Sequence, residues 1–317
     1  MSYSAQVKAE IIRNFEPTRP EFMALLAAVM KVCGTLSLLP GQGVGFRIST
    51  ENAATARLLT KYFKQYVDQR VNVVAVRGST FKKNNLYVLK LDDIADLKGL
   101  LLDTGILALE GENLVISDQI ARRFTQAEGP MRAYLKGAFL GSGSIAHPEK
   151  QYHLEFVTHS ENYAKELVRL LARYDLRGRI IARKGSQVVY FKEGEQIVDL
   201  LNLMGAHQAL FETENIRIVK DMRNNVNRLV NCETANLSKT VNASVRQMEA
   251  IRAIERTIGL SRLPELLQEV AEARLHHPDL TLAELGELLD PPVGKSGINH
   301  RLRKIEKIAS ELEKEGR

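Results

Sequence analysis

YLKGAFLGSGSI, Tyr134 to Ile145, decides how this chain of 317 residues is divided. The stretch is apolar, rich in small residues, and closes on Gly143 with Ser144 behind it. It predicts a helix ending in a polar turn. A counterpart lies upstream, FMALLAAVMKVCGTLSLL from Phe22, in which Gly34 matches Gly143 and Cys33 matches Ser142. The segments after the two helices repeat as well. VGFRISTENAATARLLTKYFKQY from Val44 and YHLEFVTHSENYAKELVRLLARYDL from Tyr152 both read as a strand, a Ser/Thr-Glu-Asn turn and an amphipathic helix, with Glu51-Asn52 matching Glu161-Asn162. NVVAVRGSTFKKNNLYVLKL and GRIIARKGSQVVYFK each read as a β-hairpin, and a helix closing on Gly105 or Gly205 ends each copy. A period of roughly 100 residues is too long for a solenoid. It predicts two half-domains about a pseudo-twofold axis, in an α+β arrangement.

Composition excludes several classes. Apolar residues make up 44% of the chain and charged residues 26%, ordinary for a globular protein. No apolar run reaches the roughly 18 residues of a membrane span, and the opening MSYSAQVKAEIIRNFEP lacks the apolar core of a signal peptide. Two cysteines, Cys33 and Cys232, are too few for a disulfide framework and fit a reducing cytoplasm. The net charge of +6 permits nucleic-acid binding. His147, His153, His159, His207, His276 and His277 show no ligand spacing, and no metal or cofactor is expected. GAFLGSG is no phosphate cradle either, because its glycines lie along and after an apolar helix, with no Lys-Ser/Thr pair behind them.

The duplicated unit resembles the LAGLIDADG homing endonucleases, on Leu135, Gly137, Phe139, Gly143, Ile145 and the order of the repeat. The resemblance implies that the two leading helices pack together along the pseudo-twofold. Gly137 and Gly141, four apart on one helix face, would allow the close approach. It also implies an acidic residue just before the last glycine, holding a divalent metal at the scissile phosphate. Here those positions are Cys33 and Ser142, and neither replaces a carboxylate toward Mg²⁺ at neutral pH. Leu140 and Lys31 stand at the family's second acidic position. The reading is a structural helix pair without cleavage, an active nuclease being the rival.

From about Glu214 the chain becomes dense in Asn and Arg. Arg223, Asn227, Arg228 and Lys239 are candidates for phosphate contact, against the plainer reading of a solvated linker or helix face. Beyond it lie consecutive helices, with Ser261 as a candidate cap before Pro264. Thr281 and Glu284 form a capping-box pattern for a helix running to about Leu289, DPPVGK forces a turn, and Ser296 can cap GINHRLRKIEKIASELEKE. This is a helix-turn-helix pattern with a long turn. In the last helix Ile298, Leu302, Ile305 and Ala309 share one face; His300, Arg303, Lys304 and Lys307 share the other, flanked by Asn299 and Arg301. A recognition helix has such a face: early residues reach base edges and later cations hold phosphates. Ser296, Asn299, His300 and Arg303 are placed near base edges and Lys304 and Lys307 on phosphate, with Arg301 counted in the DNA-binding set.

RIVKDMRNNVNRLVNCETANLSKT and KSGINHRLRKIEKIA, with the degenerate duplicated domain, resemble the WhiA family of bacterial regulators along the whole chain. The resemblance implies a non-cleaving LAGLIDADG-like domain joined to an all-α helix-turn-helix domain similar to sigma-factor region 4. It further implies a role in transcription, sporulation, cell division or chromosome segregation. The expected division is 1–212, in halves of about 1–110 and 111–212, and 213–317, a linker plus the helix-turn-helix. The expected partner is double-stranded DNA, in the cytoplasm at the nucleoid, with no membrane. Arg77, Lys82, Lys83, Arg179, Arg183 and Lys184 on the hairpins of the first domain touch phosphates or keep the surface soluble; alternatively that domain recruits a protein partner.

Overall fold

A computed structural model of the chain describes residues 2–39, 43–76, 85–92 and 94–315. They form two compact units, Met1–Lys220 and Asp221–Arg317.

The first unit opens with helix α1 (Tyr3–Arg13), which the repeat pattern does not foretell. Its first half continues with α2 (Arg19–Cys33), β1 (Gly34–Leu39), β2 (Gly43–Thr50), α3 (Ala53–Tyr66), β3 (Asn72–Val76), β4 (Leu86–Lys90) and α4 (Leu97–Asp103). A hairpin of β5 (Leu107–Glu110) and β6 (Asn113–Ile116), equally outside the repeat, precedes the second half. That half repeats the order as α5 (Glu128–Ser142), β7 (Gly143–Ile145), β8 (Leu154–Thr158), α6 (Glu161–Ala172), β9 (Arg179–Arg183), β10 (Ser186–Phe191) and α7 (Gly194–Met204).

The repeat holds at the level of single hydrogen bonds. Both four-stranded sheets are antiparallel, in the orders β1-β2-β4-β3 and β7-β8-β10-β9. Arg47 pairs with Lys90 and Lys90 with Asn72; at the equivalent places Glu155 pairs with Tyr190 and Tyr190 with Arg179. Gly105 and Gly205 both follow a helix with positive φ, +70° and +74°. Each is followed by an N–H returning to the helix, Ile106 to Leu101 and Ala206 to Leu201. The β9–β10 turn is made by Lys184 and Gly185, both at positive φ, as a two-residue hairpin requires.

The Glu-Asn match of the two copies needs correction. Asn52 caps α3, its Oδ1 accepting from the Ala54 and Thr55 N–H groups at 3.0 Å. The residue that caps α6 is Ser160, through Tyr163 N–H at 3.2 Å. Each cap lies two residues after a threonine, Thr50 or Thr158, whose hydroxyl accepts the cap's own N–H. The copies are therefore equivalent two residues away from the match that Glu51-Asn52 suggested.

Helices α2 and α5 lie against each other at the centre of the core. Leu25 to Val29 are fully buried, as are Leu135, Ala138 and Phe139. Both helices are apolar on most sides because protein surrounds them. Two glycines set their separation. A Cβ on Gly137 would lie 2.3 Å from the Leu25 carbonyl oxygen, and one on Gly141 2.4 Å from Val32 Cγ2.

Helix α8 (His207–Thr257) starts against α1. The buried Glu10 carboxylate accepts the N–H groups of Gln208 at 2.6 Å and Ala209 at 3.2 Å, two donors that a helix start leaves without an internal partner. Arg13 donates to the Gln208 side chain at 3.1 Å, and Asn14 to the Gly205 carbonyl at 3.2 Å. The helix runs 51 residues, so the segment read as a linker or helix face is helix throughout, and residues 221–242 are exposed on every side.

In the second unit the last turns of α8 pack with α9 (Glu265–His276), α10 (Leu282–Glu287) and α11 (Lys295–Glu315) around Ile251, Ile254, Val270, Leu285, Ile298 and Leu302. Ser261 does not cap α9: it sits in a 3-10 turn, Leu260–Arg262, and Pro264 is the residue before the helix. Buried Arg274 donates to the Leu280 carbonyl at 2.7 Å and so ties α9 to the segment leading into α10.

Because the atom opposing a Gly137 side chain is backbone, it cannot rotate away. Gly137→Ala is expected to destabilise the first unit by about 1–3 kcal/mol, the usual cost of overpacking. The midpoint of its urea unfolding measures this; an unchanged midpoint would mean that α2 and α5 can separate at no cost.

Candidate nucleic-acid interface

The second unit is built to hold α11 by one face. Ile298, Leu302, Ile305 and Ala309 are all buried, at 0 to 4% exposure. The capping box before α10 forms as expected: Thr281 N–H donates to Glu284 Oε2 at 2.8 Å, and Glu284 N–H to Thr281 Oγ1 at 3.4 Å. Helix α10 stops at Glu287, two residues short of the expected Leu289. Seven residues then separate it from α11, and Val293 N–H returns to the Gly286 carbonyl at 2.9 Å. A Cβ on Gly286 would lie 1.9 Å from the Val293 carbonyl oxygen, so glycine is what lets this turn close on α10.

Ser296 does not cap α11. The helix begins at Lys295, Ile298 N–H donates to the Gly294 carbonyl, and Ser296 lies exposed in the first turn. Its hydroxyl is thereby left to face solvent. His300, Arg303, Lys304 and Lys307 are exposed and Asn299 is half-buried. With consecutive residues about 100° apart, Ser296, Asn299, His300, Arg303 and Lys307 share an arc of roughly 100° on the side away from Ile298, its centre about 30° short of directly opposite. Lys304 stands at its edge. Arg301 does not join it: it is half-buried and turned toward the core side. Lys314, absent from the expected set, extends the basic arc one further step. Lys307 makes an exposed pair with Glu311 at 3.7 Å, weak enough to be exchanged for a phosphate.

On α8, Arg223, Asn227, Arg228 and Lys239 are all exposed. They form two rows. Arg223 and Asn227 are one turn apart; Arg228 and Lys239, three turns apart, lie about 100° around the helix from Asn227. In the first unit Arg179, Arg183 and Lys184 are exposed on the β9–β10 hairpin, and Arg183 meets Glu155 at 3.5 Å. Arg77, Lys82 and Lys83 lie outside the described residues.

At the ends of α2 and α5, Cys33 reaches across to a carbonyl of the other helix and Ser142 turns back onto one of its own. Cys33 Sγ contacts the Gly141 carbonyl at 3.3 Å, and Ser142 Oγ donates to that of Ala138 at 3.3 Å. Lys8, from α1, reaches the same place: its ammonium donates to the Leu140 carbonyl at 3.2 Å and lies 5.7 Å from the centre of the Phe139 ring. Lys31 donates to the Gly105 carbonyl at 2.7 Å and to that of Ser117. Among the described residues no three His, Cys, Asp or Glu side chains converge to hold a metal, and no helix is long and apolar enough to cross a membrane.

Three family models cover the chain in succession: the WhiA N-terminal LAGLIDADG-like domain at 21–107, the WhiA LAGLIDADG-like domain at 131–223, and the WhiA C-terminal HTH domain at 226–309. A probable cell division protein WhiA of Clostridium acetobutylicum is 54% identical over the whole of both chains. The chain belongs to the WhiA family. A second relative of that name, from Clostridium perfringens, is 54% identical over 98% of each chain. The crystal structure of full-length DUF199/WhiA from Thermatoga maritima superimposes with a TM-score of 0.59 at 25% identity, covering 98% of this chain and 99% of that one. The α+β duplicated domain and the helical helix-turn-helix domain are thus those of WhiA.

Cys33 and Ser142, where the resemblance places metal ligands, do not fit a divalent cation. Burial pushes the Cys33 thiol up to about 11, partly offset by the Lys8 charge, so it stays protonated. The Ser142 hydroxyl is committed to the helix, and the Lys8 ammonium already acts on Cys33. Neither Lys8 nor Lys31 carried a sequence signal for this, because a lone lysine on a helix predicts nothing about which carbonyls it will meet.

Burial also lowers both ammonium groups to about 8 from 10.5, in Lys31 against the attraction of Asp118 and Glu166. Between those values each of these two groups is less protonated in the folded chain than in the unfolded one, so the pair contributes stability that rises with pH across the window. It acts against the burial-raised Cys33 thiol and Tyr134 and Tyr163 hydroxyls, whose contribution falls as pH rises. In Lys8→Met that rise is expected to be smaller, as measured by urea unfolding at pH 7, 9 and 10.5. An identical pH slope would mean that Lys8 is solvated in the folded protein.

Proposed function

We propose that this WhiA-family chain is a non-enzymatic DNA-binding regulator of cell division, with α11 as the helix that reads bases. The observation carrying the proposal is the division of α11: four buried apolar side chains on one side, and Ser296, Asn299, His300, Arg303 and Lys307 together on the other. The N-terminal end of such a helix enters the major groove, where Asn and Arg form paired hydrogen bonds with base edges. Lys304 and Lys307, farther along, suit the phosphates flanking the groove. The basic and amide side chains of α8 support a second set of phosphate contacts that position the protein without reading sequence. Such a protein works at the nucleoid. The names of the Clostridium relatives support a role in division.

A chromosome-associated architectural role is the second reading, favoured by the wholly exposed Asn- and Arg-rich stretch of α8. The two differ in what the bound DNA has in common. A random genomic fragment pool, bound and sequenced across salt concentrations, is expected to yield one enriched motif and an affinity falling steeply with salt. Salt-dependent binding without a motif would instead support the architectural role.

Arg303→Ala is expected to cost about 1–3 kcal/mol on the enriched site, whereas Lys307→Ala should weaken specific and nonspecific DNA alike. Equal affinity of Arg303→Ala and wild type for the enriched site in a gel shift would remove α11 from the groove. Supercoiled plasmid is expected to remain intact with Mg²⁺ or Mn²⁺. Nicking that co-purifies with the chain would overturn the non-enzymatic reading.

A further inference from the structure

The middle of α8 carries an apolar stripe that nothing in the second unit covers. Met222, Val226, Val230, Leu237, Val241 and Val245 are between 42% and 66% exposed, with Leu229 beside them. Scattered apolar residues on a surface are ordinary, but a continuous row along a helix, here winding through about 140° from Met222 to Val245, marks an interaction site. The stretch is also a poor helix on its own terms: Asn224, Asn225, Asn227, Asn231, Asn236 and Asn242 all disfavour helix in isolation. A helix of such composition is normally held by packing of an amphipathic face.

The spacing of the stripe identifies what packs on it. From Met222 the steps are 4, 4, 7, 4 and 4, ending at Val245; read backward they are the same. A helix patterned in this way is complementary to its own antiparallel copy. We propose that a second copy of this chain pairs antiparallel along α8. Met222 of one copy meets Val245 of the other, Val226 meets Val241, and Val230 meets Leu237, with the twofold axis between Glu233 and Thr234. The 24 residues involved span ~36 Å, and two helices in contact over that length bury on the order of 1,200 Å², the lower end for a specific interface. Asn224, Arg228, Asn231, Lys239 and Asn242 lie on the opposite face and stay open to DNA. Glu233 is the one charge on the stripe. It falls beside the axis and faces its own copy, which limits the strength of pairing.

Sedimentation equilibrium of the full chain without DNA tests this apart from any DNA-binding role. The wild type is expected to dimerise at tens of micromolar, a weak association consistent with ~1,200 Å². Val230→Lys with Leu237→Lys is expected to be monomeric throughout, with the circular-dichroism spectrum and melting temperature that the wild type shows at about 1 µM, where it too is monomeric, since both side chains are exposed in the single chain. Glu233→Gln is expected to tighten the dimer several-fold. Orientation is read in Cys232→Ser chains: a mixture of Val226→Cys and Val241→Cys should form a disulfide between the two variants, while Val226→Cys alone should not self-link. A monomeric wild type at ~500 µM, well above the expected dissociation constant, a double variant that still dimerises, or efficient self-linking of Val226→Cys would each overturn the proposal.

Discussion

The first unit rests on the approach of two backbones. Helices α2 and α5 can lie as close as they do only because Gly137 faces the Leu25 carbonyl and Gly141 faces Val32. Everything else in the unit hangs from this pair. Each helix runs directly into the first strand of its sheet at Gly34 or Gly143, so the spacing of the helices fixes where both sheets begin. Dense packing at this centre does not depend on the residues at the two helix ends. Leu25 to Val29 and Leu135 to Phe139 contribute apolar burial whatever stands at Cys33 and Ser142.

How much of this was legible depended on whether the signal was local. The duplication, both hairpins and the glycine-terminated helices are written in periodicity and turn residues, and the structure follows them. Helix α1 and the β5–β6 hairpin escaped because neither has a counterpart in the other half. The misplaced equivalence at Glu51-Asn52 shows a limit of matching letters. Asn and Ser both cap helices well, so the capping position is shared by Asn52 and Ser160 although the residue type is not.

In α11 the binary pattern of apolar and charged residues was enough to separate the buried face from the solvent face, since a single helix must satisfy both. The start of the helix was less legible. Ser296 looks like a cap by type, yet the chain enters the helix two residues earlier, at Gly294. Arg301 shows the same limit at the edge of the arc: a cation two residues from Arg303 lies on a different side of the cylinder. The buried ammonium groups of Lys8 and Lys31 were not legible at all, because their partners are backbone carbonyls from 74 to 132 residues away.

Glu10 ties the beginning of the chain to residues that the ribosome adds almost 200 positions later. Until Gln208 and Ala209 emerge, α1 has no helix start to cap, and its carboxylate has no N–H groups to accept from. During synthesis the sheets and the α2–α5 pair can form in sequence and Lys8 can bring α1 onto Leu140, but the Glu10 anchor must wait. Closure of the unit is therefore a late, long-range event, and a nascent chain halted before residue 207 would present α1 without its final anchor.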